Sequence, residues 1–183
     1  EEMKSRHVVY NGNRDHWNKW ITRWPSLVNA TRLGCHVENI YNVGGQLTQL
    51  ERIWLHQDPH EDGSKTVVPP HVHTLKLSDC YMSPSRGWYH AFVFPTYLRK
   101  LKVRISLYNS EYYLPIDVFL KPLTTCLAHL QILKVMDTEL YPAHGDFPDF
   151  KCWPNLAYLT MKLATVKIAH QLLASVPTTQ WRG

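Results

Sequence analysis

The chain has 183 residues, of which 44% are apolar, 19% charged and 12% aromatic. This length and mixture suit one globular domain with a sizeable core, exclude a disordered chain, and leave no apolar run near the roughly 20 residues of a membrane-spanning helix. Lys and Arg number 20 against 15 Asp and Glu, a mildly basic balance that does not by itself imply a nucleic-acid partner.

Residues 1–23 are polar and aromatic, with Tyr10, Trp17 and Trp20, and they begin with Glu rather than Met. They read as an N-terminal cap or as the remnant of a preceding repeat, in a chain expected to be a mature form or an excerpt. A repeated pattern starts at Trp24. Trp24-Pro25-Ser26-Leu27 resembles Trp153-Pro154-Asn155-Leu156, and Pro69-Pro70-His71-Val72 and Phe94-Pro95-Thr96-Tyr97-Leu98 are looser copies. Each leads into apolar, two variable, apolar, one variable, apolar. In chain order the copies are Leu27, Ala30, Arg32 (degenerate, since Arg32 breaks the third position); Leu50, Ile53, Leu55; Val72, Leu75, Leu77; Leu98, Leu101, Val103; Leu130, Leu133, Val135; and Leu156, Leu159, Met161. Their starts are 23, 22, 26, 32 and 26 residues apart.

The triplet alone is weak, with seven strict matches where roughly four are expected by chance; spacing and context carry the rest. The closing alternation predicts a short strand with two residues turned inward. Leu114 to Leu130 reads as a helical return, with Ile116, Leu120, Leu123 and Leu127 at helical spacing and Pro122 interrupting it. Val166 to Val176 reads as a C-terminal helix that closes the stack within residues 166–183, with about six repeats over 24–165 before it.

On these residues the chain resembles the leucine-rich repeat family, in its irregular, ribonuclease-inhibitor-like branch. The best single match is Val72-His-Thr-Leu75-Lys-Leu77-Ser-Asp-Cys80, with Cys80 in the Asn/Cys position and Cys35 in the same position of the degenerate copy. The resemblance covers roughly Trp24 to Ala174. It departs from the family in having Asp58, Ser106, Thr138 and Ala164 at the other Asn/Cys positions, in its variable intervals and in its poor first repeat. Long intervals primed by Trp-Pro or Phe-Pro look like those of fungal F-box/leucine-rich repeat proteins, although no F-box-like segment is visible here. The resemblance implies an α/β, curved solenoid with a parallel sheet on the concave face and helices or irregular segments on the convex face. It further implies a non-enzymatic protein-interaction module without a cofactor, cytoplasmic or nuclear, and a substrate-receptor role in a ubiquitin-ligase-type complex.

In this frame the residues between the inward positions project from the sheet: Asn29, Thr31, Leu33; Arg52, Trp54, His56; Thr74, Lys76, Ser78; Lys100, Lys102, Arg104; Ile132, Lys134, Met136; Tyr158, Thr160, Lys162. Seven are Lys or Arg and none is Asp or Glu, so this one face accounts for the chain's whole net positive charge. Side-by-side strands put Lys76, Lys102 and Lys134 in a row at about 5 Å per step, where like charges repel. The functional expectation is a docking face for an acidic or phosphorylated protein segment, gripped by Arg52, Lys76, Lys100, Lys102, Arg104, Lys134 and Lys162, with Trp54 and Tyr158 as aromatic anchors. The bland counterpart is a solvated strand face whose lysines discourage aggregation. The rival function is nucleic-acid binding on the same face, which the missing Gly-rich motifs and sparse stacking aromatics make the weaker expectation.

Other features carry less. Cys35, Cys80, Cys126 and Cys152 are dispersed, without a C-x-x-C pair, which points to a reducing compartment rather than a disulfide scaffold. Asn29-Ala30-Thr31 matches a glycosylation acceptor, a triplet common by chance. His56, His60, His71 and His73 bracket a loop with Asp58, Glu61 and Asp62; a solvated acidic insertion is the stronger reading than a zinc site. No nucleophile elbow, phosphate-binding loop, zinc-protease helix or dinucleotide fingerprint occurs. Gly44-Gly45 is a turn signal and Ser83-Pro84-Ser85-Arg86 a phosphorylation-like motif. Neither a membrane nor a small-molecule substrate is expected.

Overall fold

The computed structural model describes residues 7–10, 14–36, 40, 46–56, 65–81, 92–106, 114–115, 119–120, 123, 127–141, 153–163, 167 and 170. The architecture is α/β. Strand β1 (His7–Tyr10) is followed by helix α1 (Arg14–Arg23), a 3-10 turn (Pro25–Asn29) and strands β2 (Arg32–His36), β3 (Arg52–His56), β4 (Thr66–Val67) and β5 (Thr74–Tyr81). Then come β6 (Phe92–Val93), β7 (Lys100–Ser106), β8 (Leu114–Pro115), β9 (Ile132–Tyr141) and β10 (Tyr158–Leu163). Seven of these, β1-β2-β3-β5-β7-β9-β10, lie side by side in chain order, all parallel. β8 pairs with the far end of β9, and β4 and β6 form a separate two-stranded parallel ladder.

Chain-order stacking follows from a device repeated in every unit. The amides of Ala30, Leu50, Val72, Leu98, Leu130 and Leu156 each donate to the carbonyl three residues back, on Leu27, Leu47, Pro69, Pro95, Leu127 and Trp153. Pro70 and Pro154 stand second in such turns, where the fixed proline φ suits the bend. The next unit then docks on the last. The Thr31 carbonyl accepts from the Glu51 and Arg52 amides, Glu51 from His73 and Thr74, His73 from Arg99 and Lys100, Arg99 from Gln131 and Ile132, and Gln131 from Ala157 and Tyr158. Equivalent backbone positions are thereby locked side by side although 20 to 32 residues separate them.

Alternation does the rest. Val8, Leu33, Ile53, Leu75, Leu101 and Leu133 form one buried row, and Tyr10, Cys35, Leu55, Leu77, Val103 and Val135 a second. Ala30, Leu50, Val72, Leu98, Leu130 and Leu156 lie beneath the turns and join the same core, with Leu47, Phe119, Leu120, Leu123, Leu127 and Trp153 behind them. Each fully buried side chain contributes about 1.5–3 kcal/mol from water exclusion. A strand cannot bury both rows alone, so each needs the neighbours that the ladder supplies.

Several expectations change. The first unit is Ala30, Leu33, Cys35 rather than Leu27, Ala30, Arg32, because Leu33 registers with Ile53 and Cys35 with Leu55. Its first strand position therefore lies 20 residues before the next, not 23. The Trp-Pro likeness misleads because the first unit carries one extra turn: Leu27 donates to Trp24, and Ala30 then donates to Leu27. Trp153, the true counterpart of Leu27, is fully buried, whereas Trp24 is 38% exposed. Leu33 consequently points inward and Arg32 outward, and Cys35 is a core strand residue rather than an Asn/Cys-position residue. Leu114–Pro115 is strand, not the start of a helix, while residues 119–120 and 123 are helical and the Leu127 amide donates to Leu123. Within the expected C-terminal helix only Lys167 and His170 are described, both helical; the rest of 166–183 lies outside the described residues. No helix among the described residues is long and apolar enough to cross a membrane.

Candidate functional site: a lysine row bounded by aromatics

The outward rows of the sheet follow from the same register. The middle row runs Val9, Gly34, Trp54, Lys76, Lys102, Lys134, Thr160. Lys76, Lys102 and Lys134 thus stand directly beside one another on β5, β7 and β9, one strand spacing of about 4.8 Å per step. The row on one side is His7, Arg32, Arg52, Thr74, Lys100, Ile132, Tyr158; on the other are His36, His56 and Ser78, with Arg104 beside Met136. None of these outward positions is acidic.

The ends of the lysine row are held by rings. The Lys76 ammonium sits 3.6 Å from the centroid of Trp54, and the Lys134 ammonium 4.5 Å from that of Tyr158. Each such contact contributes about 0.5–1 kcal/mol at an open surface. Trp54 is itself fixed: its indole N–H donates to the Ser78 hydroxyl at 2.7 Å, and its ring lies 4.4 Å from that of His56. Tyr158 is half exposed, and its phenol is held below its usual range, first by a hydrogen bond with Thr160 and then by the Lys134 charge. Lys102, between the two tethered lysines, has no ring over it among the described residues. Its ammonium is pushed below the usual lysine range by partial desolvation first, then by Lys100, Lys134 and Lys76. Among the described residues none of Lys76, Lys100, Lys102 and Lys134 makes an ion pair.

The remaining expected residues are placed as follows. Lys100 lies on β7 two residues before Lys102 on the same face, and Arg52 opens β3 beside Thr74. Arg104 is exposed, one pleat beyond Lys102. Lys162 is exposed; Thr160 is the β10 position beside Lys134, and past an irregularity in the β9–β10 pairing Lys162 registers with Glu139, so it lies outside the three-lysine row. The frame shift adds a cation that the sequence reading missed: Arg32, exposed and paired in register with Arg52. The alternation Ala30-x-x-Leu33-x-Cys35 carried that signal, obscured by the Trp-Pro likeness.

The other residues singled out in the sequence lie elsewhere or outside the described residues. His71 sits in the turn before β5, bonded through Nε2 to the Leu47 carbonyl, and His73 faces the Thr74 hydroxyl through Nδ1, so the two share no strand face. Asp58, His60, Glu61 and Asp62 lie outside the described residues, as do Gly44-Gly45, Ser83–Arg86, Cys126 and Cys152. Among the described residues no cluster of His, Cys, Asp and Glu is arranged to hold a metal. Cys35 is fully buried, and burial pushes its thiol up to about 12, which makes it inert rather than nucleophilic. No protein-family model, curated protein or solved structure matches the chain.

Proposed function

We propose that the chain is a curved, irregular leucine-rich-repeat-type solenoid whose sheet face docks an acidic segment of a protein partner. The observation that carries this reading is the lysine row: three adjacent cations with no counter-charge among the described residues, the outer two held by aromatic rings. Like charges on neighbouring strands cost roughly 0.2–1 kcal/mol per pair, and an anionic partner reverses that cost. Arg32, Arg52 and Lys100 extend the positive field along one side, where it raises the encounter rate with acidic chains. Trp54 and Tyr158 supply the flat, rigid contact area that interfaces favour. The resemblance to fungal F-box/leucine-rich repeat proteins suggests a substrate-receptor setting for such a face, in the cytoplasm or nucleus.

The test is fluorescence anisotropy with a labelled Glu-rich decapeptide and a labelled single-stranded oligonucleotide of equal charge. The wild type is compared with a Lys76→Glu, Lys102→Glu, Lys134→Glu variant that circular dichroism shows to be folded. The decapeptide is expected to bind the wild type and to be released by the triple variant. Tighter binding of the oligonucleotide, with a steep linear log–log salt dependence, would give the face to nucleic acid instead. Equal behaviour of wild type and variant would make the row a solvated scaffold.

A further inference from the structure

We propose that the lysine row is a phosphoryl site centred on Lys102, taking one phosphorylated side chain of the partner; this deepens the docking reading above and rests on it. The geometry singles out the middle position. Lys76 leans onto Trp54 and Lys134 onto Tyr158, at opposite ends of the row. Lys102 stands between them with Lys100 on its own strand and with no ring and no carboxylate to offset its charge among the described residues. The fields of four ammoniums therefore converge above Lys102.

The chemistry of the occupant follows from charge and from donor count. A carboxylate brings one negative charge. A phosphomonoester brings about 1.5 to 2 at neutral pH and three strong acceptor oxygens, one for each of Lys76, Lys102 and Lys134. The outer two strands of the row are about 10 Å apart, and the four-carbon lysine stems let the outer ammoniums swing from their rings towards a central anion. The rings hold those ammoniums near the site beforehand, so less side-chain freedom is lost on binding. Trp54 is locked by Ser78 and stays as one wall when Lys76 moves.

The experiment is a 1H–15N NMR titration of the full chain at fixed ionic strength. One capped tripeptide is Gly-phosphoserine-Gly and the other Gly-Glu-Gly. The phosphopeptide is expected to shift amides of β5, β7 and β9 saturably and to bind at least about tenfold more tightly than the Glu peptide, a difference of about 1.4 kcal/mol. Its affinity should fall as pH drops below about 6, where the phosphoryl group takes up its second proton. Lys102→Gln should weaken it by at least about tenfold, Lys102→Arg should restore most of the loss, and Lys19→Gln, on helix α1, should leave it unchanged. Equal affinity of the two tripeptides, with the decapeptide still bound, would overturn the phosphoryl site and spare the docking reading. Phosphopeptide binding indifferent to Lys102→Gln would also overturn it. Silence from both tripeptides and from the decapeptide would bring down both proposals.

Discussion

Gly34 sits in the middle outward row between Val9 and Trp54, where every later unit has a side chain. A Cβ built there would lie 3.7 Å from Val9 Cγ2 and 4.0 Å from Trp54 Cε3, ordinary contact distances. The glycine is therefore not required by space, and it costs strand stability through its backbone freedom. Gly34→Ala should stabilise the protein by about 0.5–1 kcal/mol, seen as a rise of about 2 °C in Tm; a fall would mean that the backbone there cannot carry a side chain. One residue on, Cys35 faces the core. Its thiol stays protonated in the fold up to about 12, while in the unfolded chain it ionises near 9. The stability it contributes is complete below pH 9 and is lost as pH rises from there towards 12. In urea unfolding, the stability difference between wild type and Cys35→Ala should shift against the wild type by about 1.4 kcal/mol between pH 7.5 and pH 10. An unchanged difference would show that the thiol is not held neutral.

At the scale of the strands, Lys102 is the weak point of β7. With Lys76 and Lys134 on either side, β7 carries repulsion across both of its edges. Lys102→Thr keeps strand propensity and removes the charge, and should stabilise the chain by roughly 0.5–1 kcal/mol at low salt. The gain should shrink as salt rises past about 0.1 M, where screening acts over about 10 Å. A salt-independent gain would trace to packing instead. Lys102 releases its proton at lower pH when folded than when unfolded, so its own contribution to stability grows as pH rises through the alkaline range, opposite in sign to that of Cys35.

The strand rows are also where the sequence was most informative. Four of the six triplets name buried positions throughout, and a fifth, Leu156, Leu159, Met161, names inward positions of which the last two are partly buried, because period-two alternation with one buried face leaves a single register. From that register the adjacency of Lys76, Lys102 and Lys134 and the flanking places of Trp54 and Tyr158 follow directly. The sequence did not reveal how those rings engage. Whether an indole lies under an ammonium depends on rotamers and on the Ser78 hydroxyl, which no spacing rule encodes. The first unit failed for a related reason. Trp24-Pro25-Ser26-Leu27 and Trp153-Pro154-Asn155-Leu156 make the same kind of turn, and only burial tells the surplus turn from the one that carries the strand.

Across the whole molecule, pairing in chain order means that a strand in the main path is supported chiefly by the one before it and the one after it. β5, β7 and β9 have neighbours on both sides, whereas β1 and β10 have one described neighbour each. Amide hydrogen exchange should be slowest in β5, β7 and the first half of β9, and measurably faster in β1 and β10. Uniform protection from end to end would mean that the sheet opens only as one unit. Leu101→Ala, at the centre of the most protected stretch and fully buried, should cost about 2–5 kcal/mol in equilibrium unfolding.

The paired amides that dock each unit on the carbonyl of the last have a consequence for how such a chain can change. The alignment of one strand with the next is fixed at that junction, and the residues spent between junctions, 20 in one unit and 32 in another, do not alter it. Growth and loss are therefore uncoupled from registration. A segment between two junctions can lengthen, shorten or be exchanged, and a complete unit can be duplicated or deleted, while the cations downstream keep their alignment with one another. Lineages of this chain should differ in the length of the intervening segments long before they differ in the spacing of the charges across the sheet.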